Sequence, residues 1–124
     1  MISIVTESSS AIERLKPAFR ACPNDFDVMK HEIKGGRVSV YELSGEDYRL
    51  TVAGEVMGNA YFIWAVSGNG AVDATRELAE YVKRSGLSAI STRTYFPLVA
   101  RLLKRLGDVK VSQHGDHEFL RWEV

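Results

Sequence analysis

Residues 64–86 read WAVSGNGAVDATRELAEYVKRSG, and the order of events within them sets the fold. An apolar stretch ends at Ser67-Gly68-Asn69-Gly70, and an amphipathic pattern begins at once, with Ala71, Ala74, Leu78 and Val82 on one stripe. Apolar residues recurring every three or four positions mark a helix with one buried face. Gly86 closes it, glycine being the usual residue just past a helix end. Upstream, residues 60–66 read AYFIWAV, apolar on both faces, the mark of a central strand covered from both sides. Downstream, residues 87–91 read LSAIS and form the next strand. Together the three make one crossover unit, expected to be parallel and right-handed.

Working outward, residues 2–5 read as a short strand, and Ser10 with Glu13 has the S-x-x-E spacing of a capping box. Ile12, Leu15, Phe19 and Cys22 keep helical spacing behind it, with Pro17 a kink or an early end. Pro23-Asn24 restarts the chain into a helix marked by Phe26, Met29 and Ile33, which stops at Gly35-Gly36. Val38 and Val40 alternate with Ser39 and Tyr41, and after the turn SGED the pattern returns at Tyr48, Leu50 and Val52, making a hairpin. Met57-Gly58-Asn59 turns the chain into the central strand. Beyond LSAIS, Pro97 opens a helix with Leu98, Leu102, Leu103 and Leu106 inward and Gly107 as its stop. VKVSQ and FLRWEV close the chain as a hairpin around the turn HGD. The fold expected is α/β (α+β), a single domain over 1–124 with a mixed sheet of about seven strands and helices on both faces.

Composition narrows the function classes. The 124 residues carry 16 Lys plus Arg against 16 Asp plus Glu, a balance that argues against general nucleic-acid binding, which needs many phosphate contacts. A single cysteine, Cys22, permits no internal disulfide and suits a reducing compartment. Residues 1–10, MISIVTESSS, lack the basic start and long apolar run of a signal peptide, and no stretch reaches the ~20 apolar residues of a membrane span. A cytoplasmic protein is expected. Cys22 and His31 make no nucleophilic pair by pattern, and Cys22 falls on an apolar helix face. His114, Asp116 and His117 crowd one turn, and a polar hairpin turn is expected there with no metal.

The element order resembles the GNAT acyltransferase superfamily over nearly the whole chain. In that family the central strand and its parallel neighbour splay apart and admit acetyl-CoA, whose pyrophosphate is held by a turn of pattern [Gln/Arg]-x-x-Gly-x-[Gly/Ala]. The matching residues here are Ala65, Val66, Ser67, Gly68, Asn69 and Gly70, followed by Ala71. Gly68 and Gly70 fit the small positions, and Ala65 stands where Gln or Arg is usual. Glycines admit close backbone approach, and the first N–H groups of the helix face the anion. On this reading a carboxylate at Gly70 is expected to abolish binding and leave the fold intact.

The resemblance implies acetyl-CoA as acyl donor and a small-molecule or protein amine as acceptor. It also exposes departures. Leu103 stands where active relatives often carry a tyrosine general acid, four residues before the glycine, and Asp108 replaces the aromatic of a Leu-Gly-Phe ending. Tyr95 is the nearest phenol, and the central strand has no carboxylate, leaving Glu55 and Glu42 as candidate bases. A chain with these losses and the ending Arg101-x-Leu103-x-x-x-Gly107 is also similar to short GNAT-like proteins of tailed phages. That likeness implies a non-catalytic alternative with virion partners, made in a host cytoplasm. Arg101, Lys104 and Arg105, with Arg93 ahead of them, are read as a solvated face, a contact for the coenzyme's 3′-phosphate or a docking patch. Phe62 and Trp64 are expected in the core, and Trp122 either caps the sheet or meets a second subunit.

Overall fold

The computed structural model describes residues 1–94, 104–107 and 109–124. Its elements run β1 (Ile2–Ile4), α1 (Ser9–Glu13), a 3-10 turn (Lys16–Phe19), α2 (Asn24–Lys34), β2 (Ser39–Ser44), β3 (Arg49–Met57), β4 (Ala60–Asn69) and α3 (Ala71–Arg84). Then come β5 (Ala89–Thr94), a 3-10 turn (Lys104–Leu106), β6 (Val109–His114) and β7 (His117–Glu123). One seven-stranded sheet has the order β1-β2-β3-β4-β5-β7-β6. The β4–β5 pair is parallel, as the crossover unit requires, and all the other pairs are antiparallel.

Each face of the sheet has its own core, because alternate residues of the central strands point opposite ways. Ala11, Leu15, Phe19, Phe26, Met29 and Ile33 pack from the N-terminal helices onto Val38, Val40, Ala53 and Ala65. On the opposite face Ala74, Leu78, Ala79 and Val82 of α3 cover Leu43, Leu50, Val52, Tyr61, Ile63 and Ile90. A side chain such as Leu78, 2% exposed, contributes about 2 kcal/mol by its burial. Trp122 is half-buried against this second core, in keeping with its sheet-capping reading.

Two local expectations are corrected, and a third, the early end at Pro17, is met. The cap of α1 is Ser8, whose Oγ accepts from the Ala11 N–H at 3.2 Å; Ser10 lies inside the helix, its Oγ 3.1 Å from that of Ser8. Pro17, which cannot donate to a carbonyl one turn back, leaves only a 3-10 turn after Glu13. The central strand is also longer than its apolar run. It pairs with β3 through Leu50↔Gly68 and Arg49↔Asn69, so three residues of the Ser-Gly-Asn-Gly segment are strand, not loop. The expected helix from Pro97, with Leu98, Leu102 and Leu103, lies outside the described residues, apart from the turn at Lys104–Leu106. Among the described residues no helix is long and apolar enough to cross a membrane.

Candidate functional site

The site begins with a miscount in β4. Opposite Ala53–Gly54 the register jumps from Ala65 to Ile63, leaving Trp64 as an extra residue. Such a bulge bends its strand and re-aims side chains. Here it places Trp64 and Ala65 on the same side: both pack toward the core under the N-terminal helices, whereas Ile63 and Val66 face α3. The bulge also coincides with the end of the β4–β5 ladder, whose last pair is Ile63↔Thr92, sealed by the Thr92 hydroxyl donating to the Ile63 carbonyl at 3.0 Å. Past it, β4 continues to Asn69 on β3 while β5 follows β7 through Thr94↔Glu118. Among the described residues, β4 from Trp64 onward has no strand partner on its β5 side.

Over this parting, on the face of the N-terminal helices, lies a cavity of about 380 Å³. Its floor is a straight row across four strands, because Glu55 pairs with Phe62, Phe62 with Ser91, and Ser91 with Arg121. Next to that row lie Trp64, Arg93 and Phe119, and the roof comes from Ala18, Phe19, Cys22 and Asp25. Phe62 and Trp64, expected in the core, are only half-buried and line this cavity, their rings edge-on with centroids 6.4 Å apart. The Trp64 indole donates to Glu55 Oε1 at 2.9 Å, which fixes the carboxylate at the bulge.

The two carboxylates named from sequence separate clearly. Glu55 lies in the cavity beside the parting. Glu42 is held by Arg49 at 2.7 Å and Arg14 at 3.4 Å, on a different part of the sheet. Glu42 does not line the cavity beside the parting, and its two oxygens are engaged by guanidiniums, so Glu55 is the candidate base that the geometry favours. Arg93 also leaves its expected company. It projects from β5 into the cavity, whereas Lys104 and Arg105 are exposed beside α3, where the Arg105 carbonyl accepts from Arg76 at 3.5 Å. Tyr95, Arg101, Leu103 and Asp108 lie outside the described residues.

The candidate binding segment reads as follows. Ala65 is 5% exposed, in the core under the N-terminal helices. Val66 and Ser67 are half-buried, Gly68, Asn69 and Gly70 are exposed, and Ala71 opens α3. Both glycines have positive φ, 136° at Gly68 and 69° at Gly70. Both are also required by the chain itself. A Cβ at Gly68 would strike the Arg49 carbonyl oxygen, and one at Gly70 would strike Tyr48 Cβ and sit 2.8 Å from the Asp47 carbonyl oxygen. The close run of β3 and of the turn that leads into it therefore accounts for the Gly-x-Gly pattern without a ligand. The expectation that a Gly70→Glu variant would keep its fold is withdrawn for the same reason. What remains available to a ligand is the free edge of β4 and the first N–H groups of α3, whose ladder starts only at Ala74 N–H to the Gly70 carbonyl.

The other clusters have structural explanations. His114 and His117 pair across a two-residue hairpin turn with rings stacked at 6.0 Å, and His117 Nδ1 lies 3.3 Å from Asp116. Among the described residues no group of three metal-ligating side chains forms. Cys22 is half-buried and packs against the helix-side core at the cavity roof.

No family model matches the chain, and no curated protein matches it in sequence. Solved structures do match. A GNAT-family protein from Desulfovibrio desulfuricans superposes with a TM-score of 0.66 at 12% identity, covering 99% of this chain and 98% of its own. The ribosomal-protein-S18-alanine N-acetyltransferase of Escherichia coli gives 0.63 at 9%, with 99% and 94% covered. A Bacillus subtilis acetyltransferase in complex with CoA gives 0.62 at 13%, with 99% and 97% covered. The fold of this chain is therefore that of the GNAT acetyltransferases, over essentially its full length.

Proposed function

We propose that this protein binds an acyl-coenzyme A and transfers the acyl group to a small primary amine. The observation that carries the reading is the parting of β4 from β5 at Ile63↔Thr92, directly beside a cavity that holds a carboxylate. The residues present suit the donor. Its amide-bearing arm needs a strand-like partner, which the free edge of Ala65, Val66, Ser67, Gly68 and Asn69 supplies. Its diphosphate needs clustered N–H donors, which Gly70 and Ala71 supply at the start of α3. Asp73 in that first turn opposes the anion and weakens the site.

Bound acetyl-CoA would supply an activated thioester carbonyl. The acceptor's ammonium is drawn into the cavity by Asp25 and Glu55, and Glu55 takes its proton. The neutral nitrogen then attacks the carbonyl carbon; the N–C bond forms, the C–S bond breaks, and the second proton shed by the nitrogen passes through water to the leaving thiolate. The Trp64 indole holds Glu55 in place for this role. Such acid–base help is worth about 10²–10⁴-fold. Accordingly, Glu55→Gln should lower kcat by that factor in a thiol-release assay and leave the calorimetric affinity for acetyl-CoA unchanged. Equal turnover in the variant removes Glu55 from the mechanism.

The rival is a non-catalytic interaction protein of the same fold, such as a virion component of a phage. It draws on the lack of any carboxylate in β4 and on the binding of Glu42 by two arginines. A calorimetric titration with acetyl-CoA separates the two: saturable heat supports the first, and none at millimolar ligand supports the rival.

A further inference from the structure

We infer that the acceptor is a small apolar amino acid, recognised at both its ammonium and its carboxylate; the acceptor role rests on the acyl-transfer reading above, the recognition on the cavity alone. The cavity is lined by two carboxylates, Asp25 and Glu55, and two guanidiniums, Arg93 and Arg121. Their formal charges cancel, which suits a ligand with separated charges and no net charge.

The charges are also segregated. Asp25 and Glu55 come from α2 and β3, whereas Arg93 and Arg121 come from β5 and β7. Arg121 is committed, its Nε donating to Glu123 at 2.7 Å and its Nη2 to Asn59 at 3.2 Å. Arg93 is exposed at the rim and has no hydrogen-bond or ion-pair partner among the described residues. A guanidinium facing a cavity with its fork of donors unused is suited to bind a carboxylate. A phosphate dianion fits less well, because one free guanidinium faces two nearby carboxylates.

Spacing sets the size of the ligand. Glu55 and Arg93 lie on strands two apart and, because the row through Glu55 meets β5 at Ser91, are offset by two residues, which puts their backbones roughly 12 Å apart. A glutamate and an arginine side chain leaning toward one ligand from these positions can hold the two charged groups of an amino acid, which are a few ångströms apart. Met57, Phe62, Trp64 and Phe119 supply apolar wall for its side chain. The volume of about 380 Å³ stands at the low end of ligand pockets, and fits a single residue rather than a protein surface.

The test needs no acetyl-CoA. Phenylalanine, leucine, 2-phenylethylamine (which lacks the carboxylate) and 3-phenylpropanoate (which lacks the amine) are titrated into the full chain, followed by calorimetry and by tryptophan fluorescence, with Trp122→Phe isolating the emission of Trp64. At least one amino acid should bind about tenfold or more tighter than both single-charge analogues, the factor expected of one charge-assisted contact. Arg93→Gln should erase its advantage over the amine and leave the affinity of 2-phenylethylamine unchanged. Equal affinities across the four compounds, no binding of either amino acid up to about 10 mM, or an unaltered preference in Arg93→Gln overturns the inference. Amino-acid binding without acetyl-CoA binding would keep this site and sink the acyl-transfer reading. Acetyl-CoA binding with acetylation of carboxylate-free amines would do the reverse.

Discussion

Tyr61 presents the plainest anomaly at the scale of single residues. The residue is 7% exposed, and its buried hydroxyl has no hydrogen-bond partner among the described residues. The ring lies over Gly54, where a Cβ would come within 2.5 Å of Tyr61 Cζ. Burial, with smaller contributions from Tyr41 and Tyr81, pushes its phenol far above the ordinary range, so it stays neutral. Leaving such a group unpaired costs about 1–3 kcal/mol. Tyr61→Phe should therefore keep or raise stability, by up to about 1 kcal/mol in urea denaturation. A loss larger than that would mean the hydroxyl has a partner. Glu55 shows what sequence can and cannot say of one residue. Its chemistry marks it as a candidate base, yet so does that of Glu42. Only the register of β3 on β2 and β4 puts one in a cavity and the other between two arginines.

At the scale of elements, the corner between β3 and α3 is held by polar contacts that the apolar stripe does not reveal. Glu77 of α3 accepts from the Tyr48 hydroxyl at 2.7 Å and from the Met1 ammonium at 2.8 Å. Burial alone would raise its pKa, but these two hydrogen bonds outweigh burial and hold it below its ordinary value of 4.5. A carboxylate with a depressed folded-state pKa stabilises fully above its unfolded pKa, and that contribution is lost as pH falls through the folded value. The gap in stability between wild type and Glu77→Gln should thus be widest near neutrality and close below about pH 4.5. Chemical denaturation at several pH values checks this, and a gap that widens in acid would reverse the assignment. The two glycines at this corner belong to the same account: a side chain at Gly68 would collide with the start of β3 at Arg49, and one at Gly70 with Asp47-Tyr48 in the turn leading into it.

For the whole molecule, the decisive feature is a sheet that comes apart on one side of its central strand. If acetyl-CoA binds there, amide exchange should slow across residues 64–73, where the free β4 edge meets the α3 start, and stay unchanged in β2 and β6. Hydrogen-exchange mass spectrometry reads this directly. Calorimetric binding without protection in that segment would place the ligand elsewhere. The sequence by itself determined the order of the described elements (the helix expected from Pro97 lies outside them), the two-faced apolar run of β4, the parallel crossover and the hairpins, because these follow from local periodicity and turn chemistry. It also named the segment from Ala65 to Ala71, but not why its glycines are there. Tertiary structure alone decided the bulge at Trp64, the end of the β4–β5 ladder, the row Glu55–Phe62–Ser91–Arg121 and the turn of Arg93 into the cavity. Each of these depends on register between strands far apart in the chain. A shift of one residue sends a side chain to the opposite face, and no local pattern records it.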